Sequence, residues 1–315
     1  MDCHIPYAAG AYPRRAGNLV RPLIDGVPAF RRIGAAVAAA RHSVWLTVTF
    51  VTPDFPMPDG GTLFDLLDRA AARGLDVRVL FWRPNRESAH YGKTFAGTAQ
   101  DHALLAARRS AWSARWDRAP AAFCQHQKSW LIDAGAPTET AFVGGINLSP
   151  GNSGIQGHAG GDLRHDAYVE IAGPCGTDVH HNFAQRWNLA SERLLPGGSH
   201  HDAGDLAPPT AVSAARGAIP VQIQRMLPPN HYPGLPEGEH TIRSQYHQAI
   251  AAARHAIYLE NQAIPIPEIA ASLGAALQRG VEIALVVPAE PEPHVRHSPS
   301  LPALAGIGLQ DSFTL

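Results

Sequence analysis

Lysine is almost absent from this chain: two, Lys93 and Lys128, stand against 24 arginines in 315 residues. The skew fits a GC-rich genome and makes each lysine more informative than usual. Cysteine is scarce too. Cys3, Cys124 and Cys175 are too few and too scattered for a disulfide framework or a zinc site, which fits a reducing compartment. No run of 18 apolar residues occurs, and the start, MDCHIPYAAGAYPRRAG, lacks an apolar core of signal-peptide length. A cytoplasmic protein without a transmembrane segment is the expectation. Net charge is −1, so the overall balance does not provide the basic surface of non-specific nucleic-acid binding, and nucleic acid is disfavoured as a partner.

What is present is a substantial apolar fraction, 45% of residues in a chain of 33.7 kDa, enough for two domains or two lobes of one larger unit. The chain also repeats itself. AVAAARHSVWLTVTF, from Ala36, returns as AIAAARHAIYLENQ, from Ala249. LLDRAAARGLDVRVLFW, from Leu66, returns as LGAALQRGVEIALVV, from Leu273. Each copy reads as an Ala-rich helix running into a strand, then an amphipathic helix closed by Arg-Gly, with glycine suited to a left-handed cap, and a buried strand. The class is therefore α/β with two similar lobes. Between the copies, residues 194–220 are rich in Gly, Pro, Ser and Ala and read as a linker. The first lobe spans 19–193 and the second begins at 221, running to 315. In the first lobe SWLID, TAFVGG and DAYVEIAG read as strands, and GTDVHHNFAQRWNLASERL as a helix capped by Thr177 or Asp178.

The chemistry-bearing stretch is CQHQKSWLIDAGAPTETAFVGGINLSPG, from Cys124. His126, Lys128 and Asp133 form H-x-K-x4-D, followed by Gly144, Gly145 and Asn147. On a strand, positions 126 and 128 project from one face. A neutral imidazole can attack phosphorus and hold a phosphoryl group, and an adjacent ammonium gathers the non-bridging oxygens. The Gly-Gly turn lets amide N–H groups approach an anion, and Asn147 can donate another hydrogen bond. At this chain's composition the H-x-K-x4-D pattern arises by chance roughly 0.005 times. Asp133 reads equally as a turn residue or as an orienter of the pair. Phe183 and Trp187, four apart, read as core. His165-Asp166 reads as a strand start or as part of the site's rim. His180 and His181 diverge by about 100° on a helix, so they cannot share an ion, and a solvated or capping role is expected.

H-x-K-x4-D followed by G-G-x-N resembles the phospholipase D superfamily. RPLIDGVPAFRRI, RGLDVRVLFW, RHDAYVEIAGPCGTDVHHNFAQRWN and IYLENQ extend the resemblance to phospholipase D proper over nearly the whole chain. It implies a pair of α/β/α lobes meeting at a shared site: here one complete phospholipase D-like sandwich and the start of a second. The implied chemistry is phosphodiester cleavage through a phosphohistidine, with no cofactor and no metal, ending in hydrolysis or transfer to an alcohol. Carried over residue by residue, His126 is nucleophile or general acid, Lys128 and Asn147 contact phosphate, and Asp133 is the supporting acid. Glu260 is a polar residue of the second lobe's strand end, with structural hydrogen bonding the equal reading. The implied partner is a phospholipid or other phosphodiester, with peripheral membrane contact.

In-line displacement places the attacking nitrogen and the leaving oxygen on opposite sides of phosphorus, so a second imidazole is needed. Lys93 does not provide it, because His90 stands three residues before it. Transposed by the repeat, the interval from Gly74 to His126 puts a second motif at about position 332. A truncated enzyme is thus expected. Three readings stand: a phospholipase D-type phosphodiesterase, a nuclease of the same superfamily built from two short chains, and a non-catalytic phosphate- or lipid-binding relic.

Overall fold

A computed structural model describes residues 10, 12–90, 92–155, 157, 163–261, 266–287 and 313–314. The chain divides into two compact units. One holds residues 12–223 and 228–236, and the other holds Gln224–Leu227 and the described residues from Glu237 on.

The first unit is built on nine strands. In chain order they are β1 (Arg15–Ile24), β2 (Ser43–Val48), β3 (Asp76–Trp82), β4 (Ser113–Asp117), β5 (Lys128–Ile132), β6 (Thr140–Gly144), β7 (Ala167–Ala172), β8 (Ser199–His200) and β9 (Ile219–Val221). Their order in the sheet is β8-β4-β3-β2-β5-β6-β7-β1-β9. β2, β3 and β4 run parallel, and β5 turns antiparallel against β2, as do the strands beyond it in alternation. One end of the sheet therefore gathers the C-terminal ends of β1, β2, β3, β4 and β6 with the N-terminal ends of β5 and β7.

Side-chain alternation sorts the sheet into two faces. Val44, Leu46 and Val48 of β2 face helices α1 (Gly26–Ala39), α2 (Leu63–Ala72) and α3 (Ala99–Arg108), burying Phe30, Ile33, Phe64 and Leu105. Trp45 of β2 and Leu80 of β3 face helix α4 (Gly176–Asn188), where Val179, Phe183 and Trp187 close the second core. This is an α/β/α sandwich. Thr62 and Thr98 each start a helix with a capping box, using Asp65 and Asp101. At α4 the expected caps do other work. Cys175 holds the N-cap position without a capping bond, its thiol donating to the Val221 carbonyl, while Asp178 pairs with Arg15 and the Thr177 hydroxyl donates to Ser213.

Residues 194–220, read from composition as a linker, lie along this unit. Gly, Pro and Ser signal irregular backbone there, not freedom from packing. The segment supplies both edge strands, β8 and β9. Between them it is sewn down by Arg115 on Asp202 and Asp205, by Trp187 donating to the Gly204 carbonyl, and by Ser213 donating to Glu139. Short strands of this kind cover sheet edges that would otherwise pair with another chain.

In the second unit, β10 (Met226–Leu227) pairs with β11 (Glu239–His240). Helices α5 (Thr241–Ala252) and α6 (Pro267–Gln278) pack on one face of the parallel strands β12 (Ala256–Glu260), β13 (Glu282–Val286) and β14 (Phe313–Thr314). The repeat extends to register. Val44 opposite Val77 in the first unit becomes Ile257 opposite Ile283 in the second. Gly74 and Gly280, each after an Arg, take the left-handed conformation with φ of 81° and 82°. Trp45 and Leu80, covered by α4, correspond to Tyr258 and Val286, which are 63% and 50% exposed. No helix among the described residues is long and apolar enough to cross a membrane.

Arg115→Ala removes a buried guanidinium that stacks 4.6 Å over Trp187 and holds two strap carboxylates. Equilibrium unfolding should show a loss of about 2 kcal/mol, and limited proteolysis should cut faster between residues 194 and 210.

Candidate active site

His126 and Lys128 meet at the sheet end described above. β5 begins at Lys128, so His126 lies in the irregular lead-in just before the strand. The pair still points to one side: Lys128 Nζ stands 3.0 Å from His126 Nε2 and also donates to the His126 carbonyl at 3.0 Å. A charged ammonium can only donate, so Nε2 is the acceptor and the ring proton sits on Nδ1. Behind them, Thr49 Oγ1 donates to the carbonyls of Gln125 and Gln127. Phe50 packs edge-on against the imidazole at 5.6 Å.

Electrostatics separate the two groups. Desolvation, then the neighbouring Lys128 charge, hold the His126 imidazole down to about 4. Burial pulls the Lys128 ammonium down to about 8, against the opposing pull of Asp166 and Cys124. At neutral pH this is a free-base imidazole touching an ammonium, the state suited to nucleophilic attack beside an anion. Asp166, at the start of β7, is raised by burial and held back by the Ala167 N–H and by Lys128. Its nearness to Lys128 follows from the β6–β7 pairing, which the His165-Asp166 dipeptide does not reveal. His165 itself bonds Asp25 at 2.8 Å.

The glycines serve differently from the expectation. Gly145 N–H donates to the Ala167 carbonyl, so it is not aimed at an anion. A Cβ on Gly144 would collide with the Ala167 carbonyl oxygen, and one on Gly145 with the Asp166 carboxylate. These residues are glycine because β7 and Asp166 approach too closely for anything larger. Asn147 lies at the same sheet end, and its Oδ1 accepts from Phe50 N–H at 3.4 Å, bracing the loop after β6 against the loop after β2.

Asp133 is not brought to the site. It ends β5 at the far side of the sheet, where its carboxylate accepts from the backbone N–H groups of Arg41, His42 and Ser43 and from the Thr138 hydroxyl. Burial alone would raise it, but those four donors draw it below the usual carboxylate value. It takes φ of 55° and is a turn brace. Five residues along an extended strand separate it from Lys128 by more than 15 Å or so. Glu260 belongs to the other unit, where it accepts from Tyr258 OH at 2.6 Å. Phe183 and Trp187 fill the core. His180 is neither solvated nor a cap: it is buried and bonds Glu139 at 3.1 Å, while His181 bonds Tyr12 OH.

No family model matches the chain. Its sequence is similar to cardiolipin synthase A of Pseudomonas putida strain W619, 28% identical over 295 residues, which cover 92% of this chain and 55% of that protein. Phospholipase D alpha 4 of Arabidopsis thaliana is 25% identical over 299 residues, 76% of this chain and 39% of that one. These similarities accord with the phospholipase D resemblance of the H-x-K-x4-D motif. Phosphatidylserine synthase of Haemophilus influenzae Rd KW20 shares the fold, with a TM-score of 0.55 at 12% identity over 88% of this chain and 63% of that one. This phospholipase D-like chain spans about half the length of the curated relatives it matches.

Asp133→Asn replaces an acceptor-only group with an amide and should lower stability by about 1–3 kcal/mol. The wild-type carboxylate is depressed in the fold, so its contribution is full above the unfolded value of 3.8 and is lost as pH falls below it. Unfolding curves of the two proteins should therefore converge in acid. The His126 ring resonances should stay in place.

Proposed function

We propose that this chain carries one half-site of a phosphatidyl-transferring phosphodiesterase, in which His126 forms the bond to phosphorus. The observation that carries the reading is the 3.0 Å approach of Lys128 Nζ to Nε2 of a free-base imidazole. In the resting site the ammonium occupies the lone pair of that nitrogen. A non-bridging phosphate oxygen that takes the ammonium instead releases the lone pair and brings phosphorus to it. The N–P bond then forms as the P–O ester bond breaks. The departing alcohol takes a proton from an acid on the opposite side of phosphorus. Water or a second alcohol attacks next, the N–P bond breaks, and His126 returns to free base.

A phosphatidyl group is the favoured cargo because the cardiolipin synthase similarity runs over 92% of the chain. Transfer of a phosphatidyl group onto phosphatidylglycerol makes cardiolipin, whereas transfer onto water makes phosphatidic acid. Net charge of −1 argues against a nucleic-acid substrate. The acid on the far side of phosphorus is a second imidazole, and the sequence contains no second H-x-K. Turnover by the 315-residue chain alone should therefore be a trace, while binding of a phosphodiester persists.

Mixed micelles containing labelled phosphatidylglycerol, sampled early and quenched in alkali to keep phosphohistidine, test this reading. Paired with a chain that supplies the second imidazole, wild-type protein should retain label on the phosphatidyl group, and His126→Ala, whose fold should be intact, should not. Lys128→Arg should retain at least tenfold less, since a planar fork does not replace a compact point charge. Equal label on His126→Ala would overturn the assignment. In a pairing that restores turnover, kcat/KM should fall below pH of about 4, as His126 protonates, and above about 8, as Lys128 loses its charge.

A further inference from the structure

The sheet ladder does not hold His126, because β5 starts two residues later. Something else must fix the direction of its ring. Gln127, between the two functional residues, turns its side chain toward α4. There its Oε1 accepts from Asn182 Nδ2 at 3.1 Å and from Arg186 Nη1 at 3.0 Å, which fills both lone pairs of the amide oxygen. Asn182 and Arg186 are four apart on α4 and share the face turned to the sheet. Arg186 is fixed in turn by Asp117, the last residue of β4, at 2.8 Å, with the two side chains 2% and 0% exposed. The second Asp117 oxygen accepts from Ser191 N–H.

Such a buried pair is a poor device for stability. Desolvation offsets much of its Coulomb attraction, and apolar side chains of similar volume often do as well. Val179, Phe183 and Trp187 already provide that packing on the same helix. What an ion pair adds is direction: a guanidinium held by Asp117 presents its remaining N–H groups at fixed angles.

We infer that Asp117, Arg186, Asn182 and Gln127 form a positioning relay that sets the ring of His126 against Lys128. The relay joins the end of β4, helix α4 and the lead-in to β5, so a small displacement of α4 is delivered to the imidazole. Gln125 adds a second tether, its amide lying 2.8 Å from His231 Nε2. None of the four touches the position of the phosphate. They act through His126, and their importance to catalysis rests on the reading of His126 and Lys128 as the phosphoryl site.

The test uses the 315-residue chain and needs no turnover. Histidine is labelled with 15N and 13C, the His126 signals are assigned by their loss in His126→Gln, and the ring is titrated with and without inorganic phosphate. The wild-type ring should be the Nδ1–H tautomer, with a midpoint well below the ordinary 6.5. Gln127→Leu, which removes the acceptor at nearly constant size, should raise the midpoint by about one unit, a tenfold change in proton affinity, and mix the tautomers. Asn182→Leu removes one donor and should shift both in the same direction by less; it decides the matter if Gln127→Leu does not fold. Asn188→Ala, on the same helix but bonded to Leu206, should lower stability without moving His126. An unchanged ring in folded Gln127→Leu, or an equal shift in Asn188→Ala, would overturn the relay. Phosphate should perturb the wild-type ring. A ring that ignores phosphate yet responds to Gln127→Leu would remove the phosphoryl reading and leave the relay standing.

Discussion

A single ammonium resting on a single imidazole nitrogen organises this site. Burial makes Lys128 reluctant to be charged, and the Lys128 charge makes His126 reluctant to be protonated. Burial works against the charged form of both groups, the Lys128 charge adds to it at His126, and an arriving anion relieves the conflict. A phosphate oxygen on Lys128 Nζ favours the ammonium and frees the imidazole lone pair in the same movement. In the proposed reading the pair responds to an anion before it acts on one, and the rest of the unit can be understood as what keeps the two nitrogens 3.0 Å apart.

That spacing depends on topology. Parallel β2, β3 and β4 deliver Thr49, Phe50 and Asp117 to one sheet end, and the switch to antiparallel β5 brings the start of that strand to the same place. The site thus forms where strand direction reverses, the position at which open α/β sheets leave a crevice. Gly144 and Gly145 let β7 come close enough for Asp166 to act on Lys128. The carboxylate tempers the loss of charge on the lysine without lying in a direct ion pair with it.

The parts legible in the sequence were those in which residue type and function coincide. Spacing placed His126 and Lys128 together, the repeat pointed to two similar α/β lobes, a likeness the structure extends to strand register, and Phe183 and Trp187 were recognisable as core. Asp133 was misgrouped because a motif records order along the chain, while a strand carries its two ends to opposite sides of a sheet. The glycines were read as opening the backbone to an anion, whereas what approaches them is a neighbouring strand and the Asp166 carboxylate. Gln127 was invisible as the unspecified residue of H-x-K. Arg186 was hidden inside a helix whose aromatic spacing already explained its burial, and nothing local marks an arginine as wholly enclosed. Residues 194–220 looked free because Gly and Pro forecast backbone shape, whereas docking depends on Arg115 and Trp187, far away in sequence.

Placement of the relay has a consequence for how such a site can be tuned. The face of the sheet toward α1, α2 and α3 is mostly apolar packing, which tolerates substitution by small losses spread over many contacts, with the Arg32–Glu170 ion pair set into it. The α4 face mixes an apolar core with charged and amide groups whose geometry is directional. A change on the first face alters how stable the unit is. A change on the second alters where His126 points, and one that removes a single partner of the buried Arg186–Asp117 pair also lowers stability, because it leaves an uncompensated buried charge. Apolar packing and the directional groups behind the imidazole thus answer to different constraints, and a sequence can drift in the packing without disturbing the relay.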